Sequence, residues 1–284
     1  MNHLLKLPLF DAQFSVVTEP AFRSLSGLDS ARSSLEDKAK VFDFAKYSQT
    51  LSTLEGVVAA GGVVMPSAPN QFNQNPLIDL LEELNEPKVA AGIHELTQAP
   101  NYVGITQLPY DYPDTAIESL NRQRVRGFYV KVFDETLANQ DTIRSFALRV
   151  SSLVKWHCEL DISSVSALSD TFSALFQLPK IVLHIDPSLL SYVTIDTLLS
   201  LIDKDDSFLK LTLPVSQDID LSSWMSALKK LVSVNPQSIL IGSGLSAAHQ
   251  SFKDGKTIMN QLTDSFTEAE LRALFFENAH KLYR

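Results

Sequence analysis

Residues 155–162 read Lys-Trp-His-Cys-Glu-Leu-Asp-Ile, so Lys155, His157, Glu159 and Asp161 alternate with Trp156, Cys158, Leu160 and Ile162. A period of two over this length marks a β-strand with one ionisable face and one apolar face. The apolar face suits a cover of helices. The ionisable face then points into the lumen of a closed parallel barrel, where burial is costly unless the groups pair with one another or take part in function.

Seven other apolar, β-rich runs flank this one: Leu9–Val17, Gly62–Pro66, Tyr102–Leu108, Gly127–Phe133, Lys180–Ile185, Phe208–Leu213 and Ser238–Ile241, with the quoted run extended to Val154–Ile162. Segments of helical period separate them, and that alternation is the sequence form of a parallel α/β fold. Eight strands predict a (β/α)8 TIM barrel. Asn75 followed by Pro76 reads as an N-cap and first helical position before LIDLLEEL, and Thr267 with Glu270 reads as a capping box before the last helix. Leu221, Trp224, Met225, Leu228, Leu231 and Val232 recur at helical spacing, which is core packing, with Lys229 and Lys230 in water. No linker or repeat divides the 284 residues, so a single domain over 1–284 is expected. Positions 18–40 and 88–101 fit the eightfold pattern less well and are expected to be loops or added helices over one mouth.

The composition, 45% hydrophobic and 20% charged with a net charge of −9, belongs to a globular chain. An acidic balance disfavours nucleic acid and anionic membranes as partners, because both need a basic footprint. Cys158 is the single cysteine, which rules out an intrachain disulfide and cysteine-rich metal sites and fits a reducing cytoplasm. The first residues lack the order of a signal peptide, and no run approaches the roughly 18 to 20 apolar residues of a spanning helix. A small molecule is the expected partner, and a homodimer stays open.

In a TIM barrel the chemistry collects at the C-terminal ends of the strands. Asp161 ends the fifth strand and His184 lies near the end of the sixth, so these are the candidate acid–base residues. His157 and Glu159, deeper in the strand, are either an internal ion-pair network or part of the site. His3, His94, His249 and His280 read as surface or packing residues. The turn SILIGSGLS, with Ser243 and Gly244, offers backbone amides to an anionic group or is a plain strand-to-helix turn. The loop VVMPSAPNQFNQN lines a mouth or simply connects two elements.

Read in order, these segments resemble the amidohydrolase-related TIM barrels of the branch that includes 2-pyrone-4,6-dicarboxylate lactonase. The resemblance runs through GGVVMPSAPNQFNQNPLIDLLEEL, VRGFYVKVF, WHCELD, KIVLHID, FLKLT, SILIGSGLS and FFENAHKLYR, from about residue 9 to the end. It implies hydrolysis of a small, carboxylated cyclic ester or amide. The departures are equally specific. Where the family opens with Asp-x-His-x-His, this chain has Asp11, Gln13 and Ser15. Asp161 stands for the fifth-strand histidine, Gly244 for the aspartate of the eighth strand and Tyr129 for an arginine of the fourth. Such a donor set predicts no bound transition metal and no cofactor. His184 and Asp161 are then the catalytic candidates, with Gln13, Ser15, Tyr129, Lys131, Ser243 and Gly244 as contacts to substrate oxygens. The two readings of function are a metal-independent hydrolase and an inactive barrel that binds a small molecule or partner.

Overall fold

Each apolar run expected to be a strand is one. The computed structural model describes residues 6–16, 42–65, 73–86, 101–132, 140–162, 178–185, 190, 192–204, 206–215 and 220–284. Its eight strands are β1 (Leu7–Phe14), β2 (Val57–Val64), β3 (Asn101–Thr106), β4 (Val125–Val132), β5 (His157–Ile162), β6 (Ile181–Ile185), β7 (Ser207–Thr212) and β8 (Ile239–Gly242). They are parallel neighbours in sequence order, β1 through β8. Between them run α1 (Phe44–Leu51), α2 (Asn75–Asn85), α3 (Asp114–Arg122), α4 (Gln140–Val154), α5 (Tyr192–Ile202) and α6 (Leu221–Val234). After β8 come α7 (Gly255–Ser265), α8 (Glu268–Arg272), a π turn (Ala273–Glu277) and α9 (Asn278–Leu282). This is the (β/α)8 barrel expected. Among the described residues no helix is long and apolar enough to cross a membrane.

Local chemistry sets most boundaries. The capping box joins Thr267 and Glu270 as expected. In α6 the stripe from Trp224 to Val232 is buried while Lys229 and Lys230 are exposed, and Asp220 caps its first turn. Asn75 is the first residue of α2 and not its cap, with Gln74 in the cap position. Two further expectations are corrected. β2 begins at Val57, because the small residues of VVAA extend it before the glycine pair. Lys155 is not part of β5: α4 runs to Val154, and Lys155 sits at φ 63, the left-handed conformation that ends a helix. The ionisable face of β5 is therefore His157, Glu159 and Asp161. Positions 18–40 and 88–100, His3, His94, and 66–72 of the amide-rich loop lie outside the described residues.

The two end strands meet at the C-terminal rim. Gly244 N–H donates to the Gln13 carbonyl at 3.0 Å, and Ser15 N–H to the Leu245 carbonyl at 2.9 Å. Asp11 fastens this seam, since its Oδ1 accepts from Ser243 N–H at 2.7 Å and Gln13 N–H at 3.0 Å, and its Oδ2 from the Tyr47 hydroxyl of α1 at 2.9 Å. Gly244 holds φ +71, and a Cβ there would lie 2.9 Å from Thr212 Cβ, so any side chain at this turn would be strained and would push against Thr212.

The Asp11 carboxyl is fully buried, and burial pushes its pKa up to about 6 although three donors favour the ionised form. As the pH falls, the folded chain takes up this proton before the unfolded chain does. The stabilisation is thus complete below the unfolded pKa near 4 and is lost as the pH rises through about 6. Relative to Asp11→Asn, the native chain should gain about 2 kcal/mol between pH 7 and pH 4, most of what a shift of roughly two pKa units carries. Urea denaturation of both proteins at the two pH values measures this, and a constant difference would refute it.

Candidate functional site

The alternation read in the fifth strand places His157, Glu159 and Asp161 along one face, while Cys158, Leu160 and Ile162 join the core under the helices. The inward residues of the neighbouring strands complete a polar row. Lys131 on β4, Asp161 on β5, His184 on β6 and Lys210 on β7 are successive partners across four adjacent strands. Barrel strands tilt against the axis, so such a row descends as it turns. Lys131 is exposed, the side chains of Asp161 and His184 are 20% and 13% exposed, and Lys210 is fully buried. One row thus runs from solvent into the core.

At its lower end the row is closed. Lys210 Nζ pairs with Glu159 Oε2, His157 Nε2 lies 3.2 Å from Glu159 Oε1, and the Tyr283 hydroxyl donates to the same oxygen at 2.5 Å. Burial opposes ionisation of Glu159, but Lys210 and His157 outweigh it and hold the carboxyl at about 2. Burial also lowers the pKa of Lys210 and of His157, against the pull of Glu159 in both cases. The Tyr283 ring, one residue from the end of the chain, lies parallel to Phe10 at 6.1 Å and meets His157 edge-on at 5.1 Å, with Lys210 Nζ 5.5 Å from its centre. The final helix therefore plugs the N-terminal end of the lumen. His157 and Glu159 belong to this internal network.

The upper half holds a different group. Asp161 accepts from the Tyr129 hydroxyl through Oδ2 at 2.6 Å, and its Oδ1 stands 3.4 Å from His184 Nδ1. That last distance is an ion-pair contact short of a formed hydrogen bond, and His184 Nδ1 has no hydrogen-bond partner among the described residues. Burial raises the Asp161 pKa, yet His184, Tyr129 and Lys131 together hold it below the usual carboxylate range. Burial and the Asp161 charge drive the Tyr129 pKa up beyond any working pH, so its hydroxyl is a donor. With Nδ1 turned to Asp161, His184 has Nε2 as its second nitrogen for a water or ligand.

The remaining candidates gather at the β1–β8 seam. Gln13 lies beside Gly242, where a Cβ on the glycine would come 2.7 Å from Gln13 Cβ, and its side-chain Oε1 is buried without a hydrogen-bond partner among the described residues. The Ser15 hydroxyl donates to the Met65 carbonyl at 3.3 Å. Ser243 is fully buried, its hydroxyl 3.3 Å from the Gln13 carbonyl and its N–H on Asp11. Ser243 and Gly244 thus spend their amides on closing the barrel. His249 is exposed, and His280 stacks on Phe276 at 4.9 Å within the plug.

Asp11, Lys210 and Tyr283 escaped the sequence reading as participants. Lys210 had a signal, a lone lysine in the apolar run FLKLT. Asp11 had one in its match to the opening aspartate of the family motif, although its role at the seam depends on Ser243 and Tyr47, distant in sequence, and Tyr283 had none, because its partner Glu159 is distant in sequence. The donor set also fails to fit a divalent metal at the positions where the resemblance would put one. Gln13 and Ser15 are weak neutral donors, Gly244 has no side chain, and among the described residues no three His, Cys, Asp or Glu groups converge.

No protein-family model matches the chain, and no curated protein matches it. Solved structures do. A Pseudomonas putida protein provisionally described as a 2-pyrone-4,6-dicarboxylic acid hydrolase superposes with a TM-score of 0.71 at 18% identity, over 98% of each chain. An Acinetobacter baumannii protein, given the same provisional description and crystallised with citric acid, scores 0.66 at 15% identity over 98% of this chain and 99% of the other. A third, an apo structure from Agrobacterium tumefaciens, scores 0.60 at 13% identity over 98% and 93%. At these identities the likeness shows the fold.

The buried pair makes a thermodynamic cycle testable. Lys210→Met leaves Glu159 without its cation and should cost about 3–5 kcal/mol. Adding Glu159→Gln to that variant should restore most of the loss, because no unpaired charge then remains. Urea unfolding of the two variants and the parent checks this, and a double variant no more stable than Lys210→Met would contradict the pairing.

Proposed function

We propose that the chain is a hydrolase of small, carboxylated cyclic esters or amides, working without a bound transition metal through His184 with Asp161 behind it. One observation carries this reading: an imidazole backed by an ionised carboxylate at the C-terminal mouth of a (β/α)8 barrel, where such barrels place their chemistry. The names of the similar P. putida and A. baumannii structures support the choice of a pyrone dicarboxylate as the first substrate to try.

In this mechanism His184 Nε2 takes a proton from water while the resulting hydroxide adds to the ring carbonyl. Asp161 stabilises the imidazolium through Nδ1. Collapse of the tetrahedral adduct breaks the ring C–O bond, and the proton passes from Nε2 to the departing ring oxygen. The product is the open hydroxy acid, or its tautomer. Lys131, exposed at the mouth, supplies positive charge for a substrate carboxylate, and Gln13 Oε1 is an acceptor for a hydroxyl.

Gly244 favours the second reading, a barrel that binds such molecules without turnover. It carries no carboxylate where the resemblance puts an aspartate, so His184 is left to activate water without one. A screen of 2-pyrone-4,6-dicarboxylate and related lactones separates the two. Under the hydrolase reading, His184→Ala lowers turnover by about 100-fold or more while leaving the melting temperature unchanged. Turnover that survives the substitution removes His184 from the mechanism. Thermal stabilisation by the same compounds with no turnover establishes the binding module.

A further inference from the structure

Tyr129 stands between the two halves of the lumen. In the strand register it is opposite Glu159, one level below Asp161, and its ring packs against the inward cluster that includes Phe10, Val182 and Tyr283. Its hydroxyl reaches up to Asp161 Oδ2 at 2.6 Å. The aspartate consequently has one oxygen held by Tyr129 and the other turned to His184. A short bond from a neutral donor does two things for a partly buried carboxylate. It favours the ionised form, and it fixes the plane of the carboxylate so that the second oxygen faces one direction. A second cation in the same place would do the first at the expense of competing with the imidazole.

We propose that Tyr129 is a positioning residue: its hydroxyl clamps Asp161 as an ionised, oriented partner for His184, and its ring separates that carboxylate from Glu159 below. The proposal rests on the hydrolase or binding reading of the mouth only for its functional consequence, since the clamp itself is read from a carboxyl group. The groups that face Asp161 are Tyr129 and Lys131 from β4, His184 from β6, Lys210 from β7 and Glu159 from its own strand. Of these, only Tyr129 changes in the test.

Tyr129→Phe keeps the ring and removes the donor. With aspartate carboxyls labelled with carbon-13 and the Asp161 signal assigned by its loss in Asp161→Asn, Tyr129→Phe should raise the Asp161 pKa by about one unit, the effect of losing one good hydrogen bond to the charged form. If a substrate is turned over, the acid limb of the rate profile moves up by the same amount, and kcat falls about tenfold with KM little changed. A merely structural tyrosine would lower the melting temperature and leave the Asp161 titration where it was. That outcome overturns the proposal. Failure to find any substrate sinks the hydrolase reading but leaves the titration decisive for Tyr129.

Discussion

A carboxylate in the middle of a closed barrel has no water to fall back on, so the strands can close around Glu159 only if a cation and further donors close with it. Lys210, His157 and Tyr283 are those groups, drawn from β7, β5 and the last turn of the chain. The consequences spread from there. Because Tyr283 is one of the donors, the terminal helical segment, which packs Leu271, Leu274 and Phe275 into the outer core, must turn its last residues under the lumen, with Phe276 and His280 stacked beside them. Because Lys210 is paired with Glu159 below, the basic side chains beside Asp161 among the described residues are Lys131, exposed at the mouth, and His184. The lower half of the lumen is core, and the polarity available for binding lies above it.

The seam between β1 and β8 solves a different problem at the other end. Eight strands close only if the first and last exchange hydrogen bonds, and β8, with four residues, is short. Asp11 extends it. A side chain takes the place of a missing strand partner by accepting from Ser243 and Gln13 while Tyr47 holds it from outside. Gly244 then turns away against Thr212, where a side chain would be strained.

The fold was legible because it follows from patterning. Eight buried strands need eight apolar runs, and their order needs only the chain itself. The inward face of β5 was legible for the same reason, down to Asp161 beside His184, since adjacent strands of a parallel barrel must bring those ends together. What patterning cannot encode is which of several polar groups pair across the lumen. Whether His157 and Glu159 were site or scaffold depended on Lys210 and Tyr283, whose positions follow from tilt and from the path of the terminal helix. Lys155 was misread because period two continues across a helix end when the cap is a lysine in the left-handed conformation and not a glycine.

The central claim is that the row from Lys131 to His184 is where a ligand sits, with everything below it sealed. A crystal structure of the protein soaked with citrate or 2-pyrone-4,6-dicarboxylate tests it most directly. A carboxylate or ring oxygen within hydrogen-bond distance of His184 Nε2, with Asp161 still against Nδ1, is the predicted result. A ligand bound away from the C-terminal mouth, or seated there with His184 turned from it, would contradict the claim.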